Sequence, residues 1–245
     1  MKNLAKKIIK KLGYEIHRVD TYVEFPSHFS KTDIEIIKSV KPFTLTSIER
    51  RFALIQAVNY IIKNKIAGDI VECGVWKGGS IMVITKTLLE LKIYDKELYL
   101  FDTFEGMPKP TEFDVSYNDK LAIKGFEDHG YTKSRIELDE VKKNVFSTGY
   151  NKEKFHFIKG KVEDTIPKNS PETISILRLD TDWYDSTRHE LIHLFPRLVR
   201  GGVVIIDDYG FWRGAKKAVD EYFEENNILI LLNKIDTTGV IGIKI

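Results

Sequence analysis

The chain has 245 residues, of which 42% are hydrophobic, and this is enough for one α/β domain with a complete core. Its 38 basic and 36 acidic residues nearly balance, so no global positive field points to a nucleic-acid partner. A single cysteine, Cys73, excludes an internal disulfide and a cysteine-based zinc site. Since neither a signal peptide nor a membrane span is predicted, we expect a soluble, cytoplasmic protein.

A basic amphipathic helix is predicted at the start of the chain. Leu4, Ile8, Ile9 and Leu12 are interleaved with five lysines between positions 2 and 11. Such a stripe suits peripheral contact with an anionic membrane surface, or packing on the domain or on a second subunit. We favour packing and expect a homo-oligomer. Residues 1–45 are assigned to this helix and its lead-in segment, and residues 46–245 to the main domain.

Strand and helix patterns alternate along the main domain. Helices are predicted over residues 47–65, 81–91, 134–146, 186–198 and 215–225, and strands over residues 70–74, 98–101, 154–158, 174–179 and 203–206. Two last apolar runs, 228–232 and 240–245, predict a closing hairpin around Thr238-Gly239. The order predicts an α/β fold with a doubly wound, Rossmann-like sheet, an antiparallel C-terminal hairpin and an N-terminal helical extension.

Residues 103–133 interrupt this alternation. They are polar, have no convincing period, and contain two prolines and three glycines. A loop this long inside a compact domain is usually functional or mobile, so we interpret it as a lid over the ligand. Its His129 is a hypothetical substrate contact or proton acceptor; the alternative is a solvated loop histidine.

Aspartates follow two of the predicted strands. Asp207 and Asp208 close the run 203–206, and Asp180 and Asp182 follow the run 174–179. Open α/β sheets bind their ligands at the carboxyl ends of their strands. Three or four acids from two strand ends therefore predict an oxygen-ligand site for a hard divalent ion. The alternative is that these acids cap a turn and a helix.

A glycine-rich loop, Glu72-Cys73-Gly74-Val75-Trp76-Lys77-Gly78-Gly79-Ser80, separates the first strand of the main domain from its helix. Its G-x-x-x-G-G spacing departs from the G-x-G-x-x-G of nicotinamide folds, and Glu72 suits a cationic sulfonium ligand. The pattern favours an E-x-G-x-x-x-G-x-S methyl-donor loop. Asp102, after the second strand, is suited to accept hydrogen bonds from ribose hydroxyls, so the two features indicate an adenosine-containing cofactor.

Four segments resemble the macrocin and mycinamicin O-methyltransferases. They are the glycine loop, DTFEGMP at residues 102–108, LDTDWYDST at residues 179–187, and residues 201–209. The similarity covers approximately residue 43 to the C-terminus. Those enzymes use S-adenosylmethionine and Mg²⁺ to methylate sugar hydroxyls on macrolides. The resemblance implies an O-methyltransferase that acts on a hydroxyl of a sugar in a glycan, sugar nucleotide or glycosylated metabolite.

The resemblance also implies residue roles. Asp180, Asp207 and Asp208 would hold Mg²⁺, and Asp180 would also serve as general base. Binding of the methyl donor is implied for Thr44, Leu45, Glu72, Cys73, Gly74, Val75, Trp76, Gly78, Ser80, Asp102, Thr103, Phe104, Lys161, Asp164 and Asp180. Lys161 stands where an aromatic residue is expected. Asp164 would bind the adenine amino group, or would only form a turn.

Other motifs have competing explanations. His189-Glu190-Leu191-Ile192-His193 is an H-E-x-x-H sequence of the kind found in zinc proteases, but without a third ligand nearby we interpret it as helical surface histidines. Cys73 is interpreted as a small core residue or a backbone contact to the donor. Trp183 and Tyr184 are candidates for the wall of an acceptor pocket or for packing at a helix cap, and Trp212 and Arg213 for its mouth. The alternatives to a methyltransferase are a nicotinamide oxidoreductase and a catalytically silent, methyltransferase-like binding or assembly module.

Overall fold

The computed structural model describes residues 25–129 and 135–245. From Lys31 onward the chain forms one compact unit. The predicted basic helix at residues 2–12 lies outside the described residues, and the domain boundary at residue 46 stays a prediction. Within the described ranges, no helix combines the length and the apolar character that crossing a membrane requires.

Seven strands build the central sheet. They are β1 (Asp69–Cys73), β2 (Leu98–Asp102), β3 (Phe155–Lys159), β4 (Ile174–Leu179), β5 (Leu198–Ile206), β6 (Asn233–Lys234) and β7 (Val240–Ile243). Their order across the sheet is β3-β2-β1-β4-β5-β7-β6. The first five strands are parallel, and β7 runs antiparallel to both β5 and β6. This arrangement confirms the predicted doubly wound sheet with an antiparallel C-terminal pair.

The described helices are α1 (Lys31–Ser39), α2 (Ile48–Lys63), α3 (Gly79–Glu90), α4 (Ala122–His129), α5 (Leu138–Phe146), α6 (Val162–Thr165), α7 (Tyr184–Leu194) and α8 (Arg213–Glu225). Short 3₁₀ turns lie at Lys41–Phe43, Lys152–Lys154 and Phe195–Arg197. Helix α2 begins where the sequence predicts it, because the Ser47 hydroxyl accepts a hydrogen bond from the Arg50 N–H at 3.1 Å.

The core explains why the central strands are almost continuously apolar. All six residues of β4 are buried, as are the last four residues of β1. Strands in the middle of a parallel sheet are covered by helices on both faces, so neither face can be polar. The exception within β4 is Arg178, which is only 2% exposed. A charged side chain at such a position requires partners of opposite charge.

The topology locates the ligand site. Strand β1 lies between β2 and β4. The chain continues from β1 to β2 and β3 on one side of it, and then to β4 and β5 on the other side, so the order of the strands reverses next to β1. A crevice forms at such a reversal, outside the carboxyl ends of the strands. The glycine loop, Asp102, Asp180 and the Asp207-Asp208 pair all follow these strand ends. The predicted donor and acid sites therefore share one edge of the sheet.

Three predicted elements differ from the structure. Residues 103–133 contain helix α4, which the search for a period missed because it is eight residues long and interrupted by Gly125. Strand β5 starts at Leu198, five residues before the apolar run that Gly201 and Gly202 separate from it. The first strand of the closing hairpin is Asn233–Lys234, not residues 228–232. The latter segment packs Ile228, Ile230 and Leu232 against the core and leaves Leu229 and Leu231 exposed.

Candidate functional site

A cavity of about 560 Å³ opens at the carboxyl ends of β1, β2, β4 and β5. Many of the predicted site residues line it: Thr44, Leu45, Gly74, Val75, Trp76, Ser80, Asp102, Thr103, Lys161, Asp180, Asp207 and Asp208. The glycine loop contributes one side and the aspartates another. The fold thus brings the predicted donor site and the predicted acid site to the same open cavity.

The glycine loop is shaped by two close backbone approaches. Gly74 has φ +82°, and a Cβ placed there would lie 2.0 Å from the backbone oxygen of Asp180. A Cβ on Gly79 would lie 2.4 Å from the backbone oxygen of Phe43. Only glycine fits at either position. The first contact joins the ends of β1 and β4, and the second holds the segment before α2 against the start of α3.

Asp102 organises this loop through its carboxylate. One oxygen, Oδ2, accepts hydrogen bonds from the backbone N–H groups of Val75 at 2.7 Å and Trp76 at 3.1 Å. The other, Oδ1, accepts the Phe104 N–H at 2.8 Å. The acid therefore ties the turn after β1 to the turn after β2. Its predicted contact with ribose hydroxyls stays a prediction.

Two arginines that the sequence did not single out lie among the acids. Arg178 Nη1 is 2.9 Å from Asp180 Oδ2 and also pairs with Glu72. Its Nη2 lies 2.8 Å from Asp207 Oδ1, close enough for an ion pair although not aligned for a hydrogen bond. Arg50 donates to the other oxygen of Asp207. Both arginines line the cavity.

Arg50 also connects this cluster to the turn before β7. Its Nε donates to Asp236 Oδ2 at 2.8 Å, and its Nη2 donates to the Thr238 hydroxyl. The Ser47 hydroxyl donates to the same Asp236 oxygen at 2.7 Å. The start of α2 and the C-terminal hairpin are thereby joined directly beside Asp207.

Negative charge exceeds positive charge in the cluster, and three of its acids, Asp180, Asp182 and Asp208, have raised pKa values. Burial raises the pKa of Asp180 well above its ordinary value, with repulsion from Asp207 and Asp208 adding to the rise against the attraction of Arg178. Burial, followed by repulsion from Asp182 and Asp207, does the same to the pKa of Asp208. For Asp182, burial and then Asp180 raise the pKa to about 7. Additional positive charge would relieve this repulsion.

Comparison with known proteins identifies the family. A model of the macrocin-O-methyltransferase (TylF) family matches residues 17–243, which is most of the chain. The chain belongs to the macrocin-O-methyltransferase family. The resemblance seen in the sequence motifs is thereby confirmed, and with it the prediction of an O-methyltransferase.

Two O-methyltransferases and one solved structure are similar to this chain over most of its length. Demethyldecarbamoylnovobiocin O-methyltransferase of Streptomyces niveus is 30% identical over 239 residues, which cover 95% of this chain and 90% of that protein. The 8-demethyl-8-(2,3-dimethoxy-alpha-L-rhamnosyl)-tetracenomycin-C 4'-O-methyltransferase of Streptomyces olivaceus is 29% identical, covering 97% of this chain and 90% of the relative. The solved structure of the O-methyltransferase NovP superimposes with a TM-score of 0.75 at 32% identity, covering 82% of each chain.

The acid cluster of this macrocin-O-methyltransferase family member offers carboxylate oxygens, which are the ligands that a hard cation prefers. Asp208 Oδ2 is buried and has no hydrogen-bond partner, and Asp180 is 29% exposed with one oxygen on Arg178. Both oxygens of Asp207 face arginines. Within residues 25–129 and 135–245, no three His, Cys, Asp or Glu side chains form a group ready to hold a metal ion. The carboxylates are therefore gathered at one place, but they are not arranged as a coordination shell.

Several predicted donor-site residues do not line the cavity. Glu72 and Cys73 are buried in β1, and Glu72 faces Arg178 across the strand pair. Burial raises the pKa of Glu72 to about 7 against the attraction of Arg178. Phe104 is buried, and Asp164 is exposed on the short helix α6. Gly78 is the N-cap of α3, where a Cβ would meet the Val145 side chain at 2.6 Å. None of these five lines the cavity, and their donor contacts stay predictions.

The H-E-x-x-H sequence has a structural explanation. Glu190 is fully buried, and it accepts a hydrogen bond from the Thr181 hydroxyl at 3.0 Å. Burial raises the pKa of Glu190 well above its ordinary value. His189 contacts the backbone oxygen of Ile166 at 3.1 Å and lies beside His193. Glu190 therefore points into the protein, beneath Thr181 of the cavity wall. Among the described residues, the motif supplies no zinc site.

Trp183 and Tyr184 fix the segment after β2 in place. Trp183 Nε1 donates to the Pro108 oxygen at 2.9 Å. The buried carboxylate of Asp114 accepts the Tyr184 N–H at 2.8 Å and the Thr111 N–H at 2.7 Å. Neither aromatic residue lines the cavity, so packing at the start of α7 is their observed role. The first half of the predicted lid is docked on the domain. The side chain of His129 lies outside the described residues.

Trp212 does reach the cavity. Its Nε1 donates to Asp182 Oδ1 at 2.7 Å, and its ring meets Trp183 edge to face with centroids 5.1 Å apart. Arg213, in contrast, pairs with Asp119 at the surface. Asp182 has φ +67° and also lines the cavity. Asp182, one of the acids predicted after β4, and Trp212, a candidate for the mouth of the acceptor pocket, therefore lie together at the site.

Proposed function

We propose that this O-methyltransferase transfers a methyl group from S-adenosylmethionine to a hydroxyl of a sugar, in a glycan, a sugar nucleotide or a glycosylated metabolite. The observation that carries the proposal is the cavity in which the glycine loop and the acid cluster face each other. The name of the tetracenomycin relative describes methylation of a compound that carries a rhamnosyl group. The alternative of a nicotinamide oxidoreductase is not supported, because the chain belongs to a family of methyltransferases.

The donor side of the cavity has the features that an adenosine-containing sulfonium requires. Gly74 and Gly79 let the loop pack closely on the backbone of Asp180 and Phe43, and Ser80 lies in the first turn of α3, whose free N–H groups would face a bound donor. Apolar side chains such as Val75 and Met107 line the cavity and would cover the flat parts of a bound donor. S-Adenosylmethionine, when bound, supplies an electrophilic methyl group on a positively charged sulfur.

The acid side has the features that deprotonation of a hydroxyl requires. Asp180 and Asp208 would hold Mg²⁺, which supplies Lewis-acid activation of the hydroxyl when bound. The orphaned Oδ2 of Asp208 and the surplus of acids over arginines support this assignment. Asp207 would join them only if it exchanged an arginine contact for the ion.

The proton of the hydroxyl must leave as the methyl group arrives. The family resemblance implies that Asp180 is the acceptor, and its side chain is partly open to the cavity. Asp182 is a second candidate, because Trp212 holds one of its oxygens and leaves the other available. A carboxylate acts as a general base only when its lone pair lies within hydrogen-bond reach of the substrate. Replacing Asp180 and Asp182 one at a time therefore shows which of them accepts the proton.

The test is methyl transfer itself. The full-length protein is incubated with S-adenosylmethionine and a panel of sugar nucleotides and neutral glycosides, with Mg²⁺ or with excess EDTA. We expect one acceptor class to gain the mass of one methylene, with equal release of S-adenosylhomocysteine, and EDTA to stop the reaction until Mg²⁺ is restored. Binding of S-adenosylhomocysteine without turnover of any acceptor would favour the silent binding module.

The assignment of the base predicts the effect of single substitutions. Asp180→Asn should reduce kcat by about 10²–10⁴-fold, the usual contribution of general acid–base catalysis, while calorimetry finds nearly unchanged affinity for S-adenosylhomocysteine. Asp182→Asn is the comparison, and Asp139→Asn, at an exposed position of α5 outside the cavity, is the control. If Asp180→Asn remains fully active and Asp182→Asn does not, the base is Asp182.

The remaining assignments concern residues or properties outside the site. A homo-oligomer, a peripheral membrane contact through the N-terminal basic helix, and a cytoplasmic location are all still predictions. Sedimentation of the full chain, and of a chain lacking residues 1–24, measures the first. Flotation with anionic and neutral vesicles measures the second.

A further inference from the structure

Arg178 occupies an unusual position in the sheet. It is the charged residue of an otherwise apolar or uncharged strand, β4, and it is 2% exposed. Its Cα lies in register with that of Glu72 in β1 and that of Ile205 in β5. The side chain therefore starts from the centre of the parallel sheet, one residue before the strand ends, and extends into the floor of the cavity.

The guanidinium joins carboxylates from three strand ends. Nη1 contacts Glu72 of β1 and lies 2.9 Å from Asp180, which follows β4. Nη2 lies 2.8 Å from Asp207, which follows β5. A planar fork with five donors in fixed directions can hold several carboxylates at set angles, which a lysine ammonium cannot do. Arg178 thus links the strand that carries the donor loop to both acids on the acceptor side.

The contacts of Arg178 differ from those of Arg51, which is also buried. Arg51 is 7% exposed and donates to two backbone oxygens, those of Ile37 and Ser47. It does not line the cavity. Arg51 satisfies backbone carbonyls and so supports the fold. The charged partners of Arg178, in contrast, are all carboxylates, and two of these carboxylates line the cavity.

We propose that Arg178 is a positioning residue for methyl transfer, which fixes the Asp180 and Asp207 carboxylates at the cavity and ties them to the donor strand through Glu72. The proposal rests on the proposed function, in which Asp180 acts on the acceptor hydroxyl and Asp207 belongs to the same cluster of carboxylates. Arg178 itself need not touch the substrate. Its effect is on the placement of the groups that do.

Lysine and glutamine variants separate placement from charge. Arg178→Lys keeps the positive charge but loses the fork, and Arg178→Gln loses both. Because a misplacement of about 1 Å costs about 10²-fold in rate, we expect kcat of both variants to fall by about that factor. The KM for S-adenosylmethionine and the calorimetric affinity for S-adenosylhomocysteine should change less than about threefold, a small fraction of that loss. Arg51→Lys, the control, should keep its kcat.

A double-mutant cycle tests whether Arg178 acts through the acids. If it does, Arg178→Gln combined with Asp207→Asn should lose no more kcat than the worse single variant, because the pair acts as one unit. Losses that multiply would show independent roles and overturn the proposal. Full activity of Arg178→Lys would overturn it as well. So would unfolding of Arg178→Lys under conditions where Arg51→Lys is folded, since the role would then be structural.

The outcome also separates this proposal from the proposed function. If Asp180→Asn and Asp182→Asn abolish turnover while Arg178→Lys is fully active, the acids retain their role and only the proposal for Arg178 fails. If the aspartate variants turn over normally, the acid mechanism itself fails. Circular dichroism and thermal unfolding of each variant, measured beside the parent protein, establish that the compared proteins are folded.

Discussion

The close approach of Gly74 to Asp180 makes a quantitative prediction. Gly74 follows β1 with φ +82°, and a Cβ there would lie 2.0 Å from the backbone oxygen and 2.7 Å from the backbone carbon of Asp180. Backbone atoms cannot rotate away as the end of a side chain can. The substitution Gly74→Ala must therefore push apart the ends of β1 and β4, where both halves of the site begin.

The expected cost has two parts. Alanine in the left-handed region costs about 1–2 kcal/mol, and forcing an extra methyl group into a packed region costs about 1–3 kcal/mol. The free energy of unfolding should therefore fall by about 2–5 kcal/mol. For a chain of this length each 1 kcal/mol shifts Tm by about 2–4 °C, so Tm should fall by roughly 4–20 °C.

Gly149 is the matched control. It has φ +84°, but a Cβ placed there would meet no atom within 4 Å. Gly149→Ala therefore carries only the conformational cost of about 1–2 kcal/mol. Urea unfolding followed by circular dichroism gives both values, and calorimetry with S-adenosylhomocysteine shows whether donor affinity falls only in Gly74→Ala. Equal destabilisation by the two substitutions would refute the tight approach of the strand ends.

Two further predictions concern ionisation. Burial opposes the charge of Asp236, yet the N–H groups of Gly239 and Thr238 and the guanidinium of Arg50 hold the pKa of its carboxyl well below the ordinary 3.8. The charged form thus stabilises the fold above that pH, and this stability is lost as the pH falls below it, toward the lowered pKa. Asp236→Asn should flatten the acid limb of a stability profile measured by urea unfolding; an unchanged slope would contradict the assignment. Burial, followed by repulsion from nearby acids, raises the pKa of the Cys73 thiol well above its ordinary value, so iodoacetamide should label it only in unfolded protein, and rapid labelling of the native enzyme would count against this.

The sequence predicted the parts of the fold that depend on local pattern. The bounds of β4 agree to the residue, and α2 starts within one residue of the predicted position, because burial and apolar spacing leave signatures in neighbouring residues. Strand ends in a parallel sheet meet at one edge, so the acids after β4 and β5 could also be placed together. The family motifs then connected this edge to methyl transfer.

What the sequence missed depends on distant partners. Arg178 interrupts an apolar strand, and this is a signal that it is buried and paired. Its partner Glu72, however, lies 106 positions away, and Arg50 meets Asp207 over 157 positions. A single sequence contains no pattern that selects such pairs. Helix α4 was missed for a different reason, since its eight residues are too few to establish a period.

The hydrogen bonds of Asp102 have a consequence for how donor affinity arises. Because its carboxylate already holds the N–H groups of Val75, Trp76 and Phe104, the backbone that faces the ligand is ordered before any ligand arrives. Binding then requires little loss of loop entropy, and this favours affinity without an additional contact. An Asp102→Asn substitution would therefore slow the association of donor, because the loop would have to become ordered during binding. It would also remove an acceptor for a ribose hydroxyl.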